Sequence, residues 1–188
     1  MKPRLRTSAP LWIVCGTALV AWSIEASGLR FNTSPSVPFG LYRIAGAFTG
    51  DEGLVAACLP EPEGRLGRAR GYLRRGPCPG GVSPVVKHVG AKGGDRVRVT
   101  REGIFVNDRY LQAAAPSEDS DYRPLHPVAP GDYELRAGEL WLYSPHRNSW
   151  DSRFFGPVDR AAVLGAVRPI WTGASARAGT DSRPPRMP

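Results

Sequence analysis

Polar and apolar residues separate sharply in the first thirty positions. A basic tip, MKPRLR, precedes PLWIVCGTALVAWSI, fifteen residues without a charge, and between Ser8 and Leu29 only Glu25 is charged. Fifteen apolar residues suit the core of a cleavable export signal, whereas the 22 residues from Ser8 to Leu29 exceed the ~20 that cross hydrocarbon. Residues 1–29 are therefore expected to form a cytoplasmic tip and a transmembrane signal anchor, with Lys2, Arg4 and Arg6 inside. Cleavage after Gly28, with Ala26 and Gly28 as the small residues, is the alternative. On either reading the rest of the chain lies outside the cytoplasm.

Past the apolar run the period changes. GLVAACL, SPVVKHVG, DRVRVT, GIFVNDRYL, ELWLYS and AAVLGAVRPIW are short strand-like runs punctuated by Gly and Pro, and they predict a mainly β protein. RVRVTREGIFVNDRYL reads as a strand, a turn at Arg101–Gly103, a short strand and a tight reversal at Asn107–Asp108, where both side chains tolerate left-handed backbone. Antiparallel hairpins follow. EPEGRLGRARGYLRRGPCPGG and AAAPSEDSDYRPLHPVAPGD read as irregular insertions, and residues 173–188 as a disordered tail. A length of 188 residues with 41% hydrophobic content suits one domain, residues 30–172.

The net charge of +8 points at first to nucleic acid or to a membrane surface. Its distribution changes that picture. Lys2, Arg4 and Arg6 supply three charges and the segment from Arg168 onward three more, so Ser8–Val167 carries only about +2. A nearly neutral body argues against nucleic acid as a partner. Of the cysteines, Cys15 lies in the apolar run, while Cys58 and Cys78 fall in the exported part, 20 positions apart. An even pair in an oxidising compartment predicts a disulfide, two separate buried thiols being the alternative. His88, His126 and His146 are scattered and no second cysteine pair exists, so no metal or other cofactor is expected.

The stretch FNTSPSVPFGLYRI packs two serines and two prolines into Ser34–Pro38. Pro35 and Pro38 restrict the backbone around Ser36 and would hold its Oγ and the adjacent N–H groups in place before a substrate arrives. A lone serine of this kind is ordinarily a turn former. Lysine usage adds a second clue. Only Lys2, Lys87 and Lys92 occur against twenty-two arginines. Lys87 is flanked by valines in PVVKHVG, where partial desolvation disfavours the ammonium and lowers its pKa toward that of a usable base, a change arginine cannot undergo. A serine paired with a neutral lysine needs neither His nor Asp. A lysine snorkelling from a strand edge accounts for the same pattern.

Taken together these segments resemble the type I signal peptidase superfamily, and within it the conjugative-transfer signal peptidases of the TraF group. The resemblance runs through NTSPSVPFGLYRI, RGYLRRGPCPGG, PVVKHVGAKGGDRV, GIFVNDRYL and NSWDSRFFGPV, from the N-terminal run to near Trp171. It implies a signal-peptidase-like antiparallel β catalytic fold behind an N-terminal anchor helix, with Ser36 as nucleophile and Lys87 as general base. It further implies that Ser34 and the Ser36 N–H hold the oxyanion, that Ser149 orients the lysine amine, and that Asp151 and Arg153 form an ion pair shaping that wall. Gly40 and Tyr42 read as packing and turn residues.

The implied protein is a single-pass serine endopeptidase of the bacterial inner membrane, its catalytic domain on the periplasmic side. Its partner would be an exported precursor carrying a signal peptide or propeptide, a conjugative pilin precursor above all. General secretory cleavage and a non-catalytic envelope scaffold are the alternatives. Three departures concern the ion pairing around the site: His88 stands where arginine is typical, Lys92 where proline is common, and YSPHRNS replaces a more acidic Gly-Asp-Asn stretch. A Ser–His pair built on His88 or His146 has no ordered acid partner in the sequence.

Overall fold

The computed structural model describes residues 13–17, 19, 27–50 and 53–173. Along the chain the strands and helices are β1 (Leu29–Asn32), β2 (Gly40–Ile44), β3 (Leu54–Ala57), α1 (Glu61–Ala69), β4 (Arg75–Cys78), β5 (Val85–Lys92) and β6 (Arg96–Val99). There follow β7 (Gly103–Val106), β8 (Arg109–Ala113), β9 (Gly131–Glu134), β10 (Glu139–Tyr143), α2 (Ser152–Phe155), β11 (Val158–Asp159) and β12 (Val163–Thr172). A seven-stranded sheet runs in the order β1-β2-β12-β3-β5-β10-β11, and a four-stranded sheet in the order β8-β7-β6-β9. Every pairing in both is antiparallel. The mainly β expectation holds.

Burial explains the composition of the strands. In β10 Leu140, Trp141 and Leu142 are all buried, because Leu140 and Leu142 face a core with Phe48, Val55 and Val158 while Trp141 faces a second core with Val97, Ile104 and Leu135. A strand covered on both faces reads as a continuous apolar run rather than an alternating one. Strand β3 is central for the same reason, with Val55, Ala56 and Ala57 fully buried. The β7–β8 hairpin turns at Asn107 (φ 47°) and Asp108 (φ 64°), the left-handed pair expected for this kind of reversal.

The two expected insertions divide. The stretch 61–81 is not irregular: it contains α1 and β4. Two glycines and a proline hide the helix in the sequence, because both residue types lower helix propensity. Here Pro62 occupies the first turn, where its missing N–H costs nothing, and Gly64 and Gly67 are buried where the helix lies close to Val82 and Leu73. The stretch 113–132 is irregular as expected, apart from its ends in β8 and β9. Most of the anchor and residues 174–188 of the tail lie outside the described residues. Among those described, no helix is long and apolar enough to cross a membrane.

Candidate active site

Three chain segments converge on one point. Ser36 lies in the turn between β1 and β2, Lys87 on β5, and Ser149 in the loop between β10 and α2. The Ser36 turn is tied from β1 by the Asn32 side chain, whose Nδ2 donates to the carbonyls of Ser34 (2.8 Å), Val37 (2.9 Å) and Pro38 (3.2 Å). Asn32 Oδ1 accepts from Ser34 N (3.1 Å) and Ser34 Oγ (2.9 Å). From β2, Tyr42 Oη donates to the Pro38 carbonyl at 2.6 Å. Glycine is required at position 40, since a Cβ there would collide with the Trp171 carbonyl of β12.

Lys87 pairs with Val55 across β3–β5 and is only 4% exposed. Its Nζ donates to Ser36 Oγ at 2.9 Å and to Ser149 Oγ at 2.6 Å, and the two hydroxyls are 3.1 Å apart. The three groups form a closed triangle. Burial lowers the Lys87 pKa from 10.5 to about 8. The Asp151 charge works against that shift and the Arg153 charge with it. Since these two belong to one ion pair, their effects oppose, and desolvation decides the direction.

Asp151 and Arg153 are both fully buried and joined at 2.8 Å. Asp151 also caps α2 by accepting from Arg153 N. The Arg153 guanidinium bonds the carbonyls of His146 (3.4 Å), Arg147 (3.1 Å) and Ser149 (3.4 Å), so the loop that presents Ser149 is braced from beneath. A cleft of about 600 Å³ opens over the triangle, lined on its apolar parts by Ile44, Ala56, Leu73, Trp150 and Phe154. Cys58 and Cys78 are joined by a disulfide that links the end of β3 to β4, whose Arg75–Pro77 segment lines this cleft.

The structure thus brings together Ser36, Lys87 and Ser149, with Asp151 and Arg153 behind them. Ser34 lines the cleft, but its hydroxyl is bonded to Asn32. His88 does not join the group: its ring packs at 5.4 Å from Tyr143, and burial lowers its pKa, as does the nearby Lys87 charge, against a hydrogen bond that the ring donates to the Gly53 backbone. His146 lines the cleft, yet its buried Nδ1 has no hydrogen-bond partner among the described residues. Sequence reasoning missed Asn32 and Ser144 and gave Tyr42 no specific contact. Ser144 Oγ donates to the Ser36 carbonyl at 2.6 Å. For Asn32 a local signal existed, because asparagine commonly bonds the backbone two residues on.

The chain matches the family model described as signal peptidase, peptidase S26, over residues 5–172. It is 39% identical over 186 residues to the probable conjugal transfer protein TraF of Sinorhizobium fredii, covering 92% of each chain. It is 36% identical over 178 residues to the conjugal transfer protein TraF of Agrobacterium tumefaciens, covering 89% of this chain and 98% of that one. With a plasmid transfer protein TraF of Escherichia coli it shares 34% identity over 169 residues, covering 85% and 93%.

Proposed function

The chain belongs to the signal peptidase family, peptidase S26, and from that premise we propose that it is a membrane-anchored serine endopeptidase in which Ser36 is the nucleophile and Lys87 the general base. One observation carries the reading: a buried amine within hydrogen-bond reach of two serine hydroxyls, its pKa lowered to about 8. At pH 7 about one such amine in ten is neutral, against fewer than about one in a thousand for a free lysine. The neutral amine takes the Ser36 proton as Oγ attacks the scissile carbonyl, and Ser149 Oγ receives a hydrogen bond from the ammonium that forms.

The oxyanion is held by the Ser36 N–H and the Ser34 hydroxyl. In the free protein that hydroxyl donates to Asn32 Oδ1 at 2.9 Å, so it exchanges this acceptor for the substrate oxygen. Lys87 returns its proton to the leaving amine, and water or a substrate amine then resolves the acyl-enzyme.

The substrate is the precursor of an exported protein, and the TraF relatives favour one belonging to a conjugation apparatus, such as a pilin precursor. The periplasmic side of the inner membrane suits this role. In support, Phe31, Leu41 and Trp171 stand in one row across β1, β2 and β12, with Phe31 65% and Trp171 60% exposed, close to where the apolar N-terminal run joins the domain. Comparing small exported proteins by intact mass, in cells making the wild type or Ser36→Ala, tests the reading. Identical mass profiles, with both proteins present at equal levels, would overturn it.

A further inference from the structure

Ser36 is gripped at its main-chain carbonyl as well as at its hydroxyl. Ser144 follows the Tyr143–His88 pair of β10 and β5 and is 1% exposed. Its hydroxyl donates to the carbonyl oxygen of Ser36 at 2.6 Å and accepts the His146 N–H at 3.2 Å. With one bond given and one taken by a buried hydroxyl, the rotor is fixed. The same loop supplies Ser149, whose N–H donates to the His146 carbonyl at 3.1 Å. One short segment, Ser144 to Ser149, therefore holds residue 36 twice, at its carbonyl and at its hydroxyl.

We propose that Ser144 is a positioning residue for the nucleophile: it sets the Ser36 backbone against Lys87 and fixes the attack geometry without touching the reacting atoms. The proposal rests on the Ser36–Lys87 reading above. The need arises from the fold, because Ser36 sits in a turn rather than a strand, and no ladder of strand bonds fixes its peptide group. Asn32 and Tyr42 restrain the turn through the carbonyls of Ser34, Val37 and Pro38, and Ser144 completes the set at Ser36 itself. A neutral hydroxyl donor suits a carbonyl acceptor.

Precursor-peptide cleavage by full-length wild type, Ser144→Ala, Ser144→Thr and Ser36→Ala, measured across pH, tests this. A loss of positioning lowers kcat by about tenfold to a hundredfold while KM stays within about twofold. The acid limb of the kcat profile should not move in Ser144→Ala, because Lys87 keeps both of its serine partners. Ser144→Thr retains the hydroxyl and should restore most of the rate. Wild-type kcat in Ser144→Ala, a displaced acid limb, or equal losses in the Ala and Thr variants would each overturn the proposal. If Ser144→Ala does not fold, Ser144→Cys replaces it, with kcat expected below that of Thr because a thiol is a weak donor. Cleavage by Ser36→Ala would instead refute the underlying catalytic reading.

Discussion

Lys87 reaches Ser36 across 51 residues of sequence, amine to hydroxyl at 2.9 Å, from a strand to a turn that share no backbone hydrogen bond. If the amine acts by accepting a proton, charge cannot replace it. Lys87→Arg should lower the cleavage rate by about a hundredfold or more, since guanidinium does not deprotonate near neutral pH. Lys92→Arg, at the exposed end of the same strand, should leave most activity. Rates for both on one precursor check this, and a near wild-type Lys87→Arg would make His146 the base to examine next.

Activity should rise with pH through an apparent pKa near 8, as the Lys87 ammonium loses its proton. The Asp151 charge raises this pKa and the Arg153 charge lowers it. Asp151→Asn leaves Arg153 uncompensated, so the acid limb of the kcat profile should move to lower pH. The same change breaks a fully buried ion pair and should cost about 3 to 5 kcal/mol of stability, which denaturant unfolding would report. A limb displaced toward higher pH would contradict the assigned electrostatics.

Stability should rise with pH as the buried Lys87 loses its charge. Lys87 binds its proton less tightly when folded, at about 8, than when unfolded, at 10.5. Between those values the unfolded chain holds more protons, so raising the pH through that window should stabilise the protein by about 3 kcal/mol. The penalty is fully present below pH 8. Lys87→Met, which removes the buried charge and keeps the length, should be more stable than wild type at pH 7 and lose this pH dependence. Chemical unfolding of the two proteins at pH 7 and pH 10 checks both points.

Reducing the Cys58–Cys78 bond should weaken the fold more than the chemistry. A cross-link closing about twenty residues contributes ~3 kcal/mol on the chain-entropy view. The double Cys58→Ala, Cys78→Ala variant should unfold at lower denaturant and retain most of its cleavage rate at low temperature. Unchanged unfolding would show that α1 and β4 are held by packing alone.

Legibility in the sequence followed the range over which each feature is encoded. Ser36 stood out because the prolines that stiffen its turn are its neighbours, and Lys87 because lysine is rare here and sits between valines. The 107–108 reversal was readable from side chains that tolerate positive φ. The helix α1 was not, because its two glycines make sense only against Val82 and Leu73, which come later in the chain. Ser144 carried no local mark either. Its role exists only once β10 lies beside β5 and the Ser36 turn folds back over both.

In the large sheet, β2 has β1 on one side and β12 on the other. The hairpin that carries Ser36 is among the first parts of the domain to leave the ribosome, and the strand that docks it beside β3 is the last. Until residues 163–172 have been made, β2 has no strand joining it to β3, and only side-chain bonds from Lys87 and the Ser144–Ser149 loop tie the Ser36 turn to β5 and β10. Order of synthesis thus leaves the Ser36 turn incompletely docked until the chain is nearly complete. Chains stalled on the ribosome before Val163 should not cleave a precursor, whereas chains released after Thr172 should.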